Sequence, residues 1–201
     1  MKNAFKIILL LLCTQMVFGQ KKIAKKSEND PQATKYLAAL KAKYDALSAY
    51  AMSFSVSILN PEGKEVESFN GKHTAQGTKY FIKMNHLDIV SNSKTTWNID
   101  NKSKSIQINE IDASAKKSDN PLDIIFNYKK LYKYRVKESL GANKVIVELI
   151  PLNKNNTIFK IDLTFNSKTN QIISSKLYEK SGARVLYSVS KTELNPTLDA
   201  K

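Results

Sequence analysis

The chain has 201 residues, 42% of them apolar and 9% aromatic, with 32 Lys and Arg against 18 Asp and Glu for a formal net charge of +14. That composition belongs to a globular chain and excludes a wholly disordered or collagen-like one, and the length suits one domain or two small ones. One cysteine and two histidines exclude a disulfide scaffold and a Cys/His zinc site built by one chain. No P-loop or dinucleotide fingerprint is present among the six glycines.

Residues 1–19 read as a secretory signal peptide. Lys2 and Lys6 precede the apolar run Ile7–Leu12, which is too short to span a bilayer, and small residues lead to a cleavage point after Gly19. Two alternatives stay open: a lipoprotein signal built on Cys13, whose preceding leucines lack the usual small residues, and an uncleaved anchor. Residues 20–29 form a flexible basic leader. A single domain is expected over 30–198, in the periplasm.

Asp30-Pro31 supplies an N-cap and a proline at the first helical position. Tyr36, Leu37, Leu40, Tyr44 and Leu47 then recur at helical spacing, which predicts an amphipathic helix over 31–48. The period changes to two at Tyr50, Met52, Phe54, Val56 and Ile58, which alternate mostly with small polar residues in a strand over 50–58. Further strands are expected at 64–75, 79–85, 87–92, 95–100 and 105–111. They are separated by turn clusters such as Asn92-Ser93-Lys94. Asn120-Pro121 opens a second helix over 121–131, followed by strands at 132–139, 143–150, 157–166, 171–179 and 183–192.

About ten or eleven antiparallel strands joined by short connections must curl, because large open sheets are uncommon. The expected class is α+β: a strongly curved antiparallel sheet around an apolar interior, with helices over its mouth. The lining is assigned to Phe54, Val56, Ile58, Tyr80, Ile82, Met84, Ile89, Trp97, Ile106 and Ile108, and the lid to Leu122, Ile125 and Phe126. His73 and His86 read as surface or edge histidines, and Glu138, Glu148, Glu179 and Glu193 as solvated strand positions. No catalytic constellation, metal site or cofactor site emerges. Arg135 and Arg184 are the only arginines and the lysines are dispersed, which disfavours nucleic acid. The charge leaves open an attraction to an anionic membrane surface or partner.

Residues 89–97, Ile-Val-Ser-Asn-Ser-Lys-Thr-Thr-Trp, resemble the central signature of the periplasmic outer-membrane lipoprotein carrier (LolA-like) family, roughly I-V-S-D-G-x-x-x-W. Phe69-Asn70-Gly71, Lys79–Ile82, Asn120-Pro121-Leu122 and Glu193-Leu194-Asn195-Pro196 match in the same order. The resemblance implies an unclosed half-barrel with a helical lid. It also implies a non-enzymatic, monomeric carrier that shelters the acyl chains of lipoproteins between the inner and outer membranes. Its implied partners are acylated lipoproteins, an inner-membrane ABC-type exporter, and an outer-membrane receptor or the membrane surface. A lipid- or lipoprotein-sensing regulatory domain on the same fold is the alternative. Two departures stand out: Asn92-Ser93 replaces Asp-Gly in the signature turn, and Ala75-Gln76-Gly77-Thr78 lacks the Arg-Pro whose arginine helps hold the lid shut in relatives.

Overall fold

The computed structural model describes residues 29–111 and 123–198. The expected signal peptide, nearly all of the basic leader, and Leu122 of the expected lid lie outside these. The described elements are α1 (Pro31–Asp45), β1 (Tyr50–Leu59), β2 (Glu65–Gln76), β3 (Lys79–Met84), β4 (Leu87–Ser91), β5 (Thr95–Asp100), β6 (Ser105–Glu110), α2 (Asp123–Leu131), β7 (Tyr132–Leu140), β8 (Lys144–Pro151), β9 (Ile158–Asn166), β10 (Gln171–Glu179) and β11 (Arg184–Leu194).

The strands form one antiparallel sheet in the order β6-β5-β4-β3-β2-β1-β11-β10-β9-β8-β7. Two meanders are thus joined where the first strand pairs with the last. β6 and β7, neighbours in sequence, stand at opposite edges, so the sheet is an unclosed half-barrel. Register shifts between Ser53 and Phe54, between Ile172 and Ser174, and between Val136 and Glu138 interrupt the ladders. Bulges of this kind bend a strand and raise its twist.

α1 begins as the sequence dictates. The Asp30 Oδ1 accepts from the backbone N–H of Gln32 at 2.8 Å and of Ala33 at 3.4 Å, with Pro31 following. The helix ends at Asp45, short of the predicted residue 48, because the chain is captured from a distance. The Asn195 side-chain oxygen accepts from the N–H of Ser48 at 2.9 Å, and the Asn195 N–H donates to the carbonyl of Ala49 at 2.8 Å. One buried face of α1, Ala33, Leu37, Leu40 and Tyr44, is pressed onto the sheet.

Register defines the two faces of the sheet. Met52 opposes His73, His73 opposes Ile82, Ile82 opposes Ile89, Ile89 opposes Asn98 and Asn98 opposes Gln107. Residues paired this way share a face, and this is the face on which Tyr50, Met52, Phe54 and Val56 are buried. In the other half, Val147, Leu163 and Phe165 lie buried on it beneath α1.

The outer face is largely polar. On it Arg135 bonds Glu148 at 2.7 Å, Lys137 bonds Asp162 at 2.6 Å, and the Tyr178 hydroxyl donates to Asp162 at 2.8 Å. Glu148 is therefore a buried, paired carboxylate and not the solvated one expected from sequence.

Gly71 lies directly opposite Phe54. A Cβ there would come 2.3 Å from the Phe54 Cζ and 2.8 Å from the Lys83 carbonyl oxygen, so the ring uses the space a side chain would fill. Gly71→Ala is expected to cost about 2 kcal/mol through overpacking, read by urea unfolding. A variant as stable as the parent would show that Phe54 shifts freely.

Candidate functional site: the helix-covered inner face

The inner face is built from alternate residues of the strands and closed by the two helices. Tyr36 of α1 meets Phe165 edge-on at a centroid distance of 5.9 Å, and Tyr44 meets Tyr50 in the same way at 5.6 Å. The Tyr44 hydroxyl accepts from the Ile172 N–H at 3.4 Å, and burial raises its pKa. From α2, Ile125 and Tyr128 are buried, and Tyr128 packs edge-on against Tyr134 of β7 at 5.2 Å. Between the helices an open cleft of about 410 Å³ is lined by Ala38, Lys41, Ala42, Phe126, Asn127 and Lys130, among others, with the Lys41 ammonium 5.6 Å from the Phe126 ring centre.

α1 is fastened at its start by one carboxylate with two tasks. Asp30 caps the helix through Oδ1, while its Oδ2 accepts from the Val136 N–H of β7 at 2.9 Å. The Asp30 N–H donates to the Tyr134 carbonyl at 3.1 Å, and Asn29 accepts from the Tyr134 N–H at 3.2 Å. The edge of β7 is thereby occupied. These N–H donors, that of Val136 foremost, hold the Asp30 carboxyl below the ordinary carboxylate range. Its contribution is present above the unfolded value near 3.8 and fades as pH falls through the lower folded value. Asp30→Ala is expected to cost about 2 kcal/mol, the loss of a cap and of a charged hydrogen bond. Hydrogen exchange should quicken in α1 before it does in β8 and β9; equal protection of all three would argue against the clamp.

The structure brings together seven of the ten lining residues assigned from sequence. Phe54, Val56, Tyr80, Ile82 and Ile89 are buried on the inner face, and Ile58 and Met84 are half-buried there. Of the lid residues, Ile125 is buried and Phe126 half-buried.

Trp97, Ile106 and Ile108 are not in the lining. Val90 opposes Trp97, Trp97 opposes Ile108, and Ile99 opposes Ile106, all on the outer face. Their inner neighbours are Thr96, Asn98, Gln107 and Asn109, which make this end of the inner face polar. The signature turn sets this phase. Asn92 accepts through its side chain from the N–H of Lys94 at 2.9 Å and of Thr95 at 2.8 Å, Ser93 takes a φ of 80° where the family signature has Gly, and Ser91 is left opposite Thr96. A slip of one residue would exchange the two faces.

His73 is the residue that sequence reasoning misplaced most. It is 0% exposed on the inner face, with Tyr50 edge-on at 5.3 Å and Tyr80 at 6.0 Å, and neither ring nitrogen has a hydrogen-bond partner. Burial pushes its pKa down to about 4, so the imidazole is neutral at pH 7. Its phase, two residues from Gly71 and from Ala75, was the available signal. The Tyr187 hydroxyl is likewise buried without a partner on this face, its ring stacked on Phe54 at 4.6 Å. Among the described residues no group of His, Cys, Asp and Glu could hold a metal ion, and no helix is long and apolar enough to cross a membrane.

The family model for the outer membrane lipoprotein carrier protein LolA matches residues 45–201, and the chain belongs to that family. Several solved structures are similar to the chain at low identity. An uncharacterized conserved protein of Thermus thermophilus is 9% identical with a TM-score of 0.56, covering 83% of this chain and 90% of that one. LprF of Mycobacterium bovis is 12% identical with a TM-score of 0.46, covering 85% and 96%. A LolA-superfamily protein of Nitrosomonas europaea is 13% identical with a TM-score of 0.42, covering 81% and 94%. No curated protein matches the sequence.

Proposed function

We propose that the chain is a periplasmic carrier that receives acylated lipoproteins and shelters their fatty chains beneath α1 and α2. The observation that carries this reading is an apolar inner face, in a sheet that never closes, covered by helices fastened mainly at one edge. An acyl chain of about 15 CH₂ groups gains roughly 0.8 kcal/mol per group on leaving water. Three such chains cost on the order of 35 kcal/mol to expose, so they cross an aqueous gap only inside an apolar shelter. The same side chains serve the empty carrier as core. Cargo enters by taking the place of the helices, and the energy of closing them again aids release.

In this reading residues 1–19 direct export, 20–29 are a leader, and 30–198 form the carrier domain. The chain carries no nucleotide-binding fingerprint, so an energised partner loads it, and the family resemblance implies that this is an inner-membrane ABC-type exporter. An outer-membrane receptor or the membrane itself takes the cargo. With no Arg-Pro in the strand after Gly71, the Asp30 clamp and the contacts of Tyr36 with Phe165, Tyr44 with Tyr50 and Ile172, and Tyr128 with Tyr134 restrain the lid.

Depletion followed by membrane fractionation tests the proposal. Outer-membrane lipoproteins should accumulate in the inner membrane, and the purified protein should carry one lipoprotein, released by detergent. Normal sorting after depletion would overturn the carrier role and favour a sensor that binds lipid on the same face.

A further inference from the structure

The residues that left the lining make a second surface. Phe81, Val90, Trp97 and Ile108 oppose one another in a single row across β3, β4, β5 and β6, and Ile99 opposes Ile106 in the next row. Strands lie about 4.8 Å apart, so the row crosses roughly 14 Å of the outer face and ends at the sheet edge. Phe81 is 41% exposed, Ile106 61% and Ile108 64%, while Val90, Trp97 and Ile99 are half-buried between them. Other exposed apolar residues, such as Ile150 of β8 opposite Lys133, lie apart from this row, and a contiguous apolar patch of this kind marks an interaction site.

Charge indicates the partner. Exposed lysines stand at both ends of these strands: Lys79 and Lys94 beside the β2–β3 and β4–β5 turns, and Lys102 and Lys104 in the β5–β6 turn. Two acidic residues share this face, Asp88 opposite Lys83 and the exposed Glu110 opposite Thr95, and the lysines around it outnumber them. An apolar centre between two basic rims is the arrangement that lays side chains among acyl chains while ammonium groups reach up to lipid phosphates.

We propose that the outer face of β3–β6 docks the protein on an anionic lipid surface, with Ile106, Ile108 and Trp97 entering the interface and the four lysines engaging headgroup phosphates. This face lies opposite the helix-covered one, and its test stands apart from whatever the inner face carries.

Trp97 is the only tryptophan in the chain, and it reports from the patch itself. The protein is isolated from the envelope fraction of cells expressing the full chain. It is then mixed with vesicles of phosphatidylcholine alone, or of phosphatidylcholine with phosphatidylglycerol. Co-sedimentation and a blue shift of Trp97 emission are expected with the anionic vesicles, weakening as salt rises. Ile106→Thr with Ile108→Thr keeps strand-forming residues at two exposed positions and should lower partitioning about tenfold. Changing Lys79, Lys94, Lys102 and Lys104 to Gln should lower it by about fivefold per lysine.

Each variant has the same N-terminal segment as the parent, so its contribution cancels. Binding to neither vesicle, equal binding to both, or unchanged binding by the threonine variant would overturn the proposal. So would a dimer, seen by sedimentation velocity, that the threonine variant abolishes, because a second copy would then be the occupant of this face.

Discussion

Lowering the pH from 6.5 to 4 should remove about 3 kcal/mol of stability through His73 alone. In the unfolded chain this imidazole takes a proton near its ordinary pKa of 6.5; in the folded protein burial delays protonation to about 4. Between those values the unfolded state binds more protons, so stability rises with pH across the window and is flat above it. The cause is geometric: the ring is held between Tyr50 and Tyr80 with no partner for either nitrogen, and nothing there compensates an imidazolium. Urea unfolding at a series of pH values measures the slope. His73→Leu should lose that slope and, by removing a buried polar group without partners, be at least as stable as the parent at pH 7. An unchanged slope in the leucine variant would place the acid sensitivity elsewhere.

Phe165→Ala should cost about 4 kcal/mol and lower the thermal midpoint by roughly 10 °C. Phe165 is fully buried on β9, opposite Val145 and Ile172, and it receives the edge of Tyr36 from α1. Its loss removes transfer energy, leaves a void, and releases α1 from the strand it rests on. A control on the outer face, Ile150→Ala at a residue 38% exposed, should lose less than about 1 kcal/mol. Amide exchange separates two outcomes. Faster exchange throughout α1, beyond the global loss, shows that the ring anchors the helix. An α1 no more labile than the sheet would leave Asp30 as its chief restraint.

Element positions were legible in the sequence because periodicity and turn chemistry agreed. The strands expected at 95–100 and 171–179 match β5 and β10 residue for residue, and the others shift by a residue or two at their ends. Asp30-Pro31 marked the start of α1; its end was not visible, because Asn195 of the far terminus sets it. The lining was legible wherever one phase of a strand was plainly apolar, as from Tyr50 to Val56. It fails at β5 and β6, where apolar and polar residues alternate cleanly and alternation alone points the apolar set inward. A chain read alone cannot supply that phase, which is inherited through Ile89 opposing Asn98 and Asn98 opposing Gln107. Adjacent apolar residues Ile89 and Val90 fit either side, and the pairing decides between them. His73 was misread for the same reason: polarity suggested the surface, while phase put it inside.

The pairing of β1 with β11 also governs how the molecule is made. Tyr50 finds its neighbour at Leu194, so the seam between the two meanders can be sewn only once residues 184–194 are present. A chain that still lacks β11 holds β1 with one flank bare, and closing so long a loop is slow. Assembly of the finished sheet is thus a late event, completed when β11 arrives.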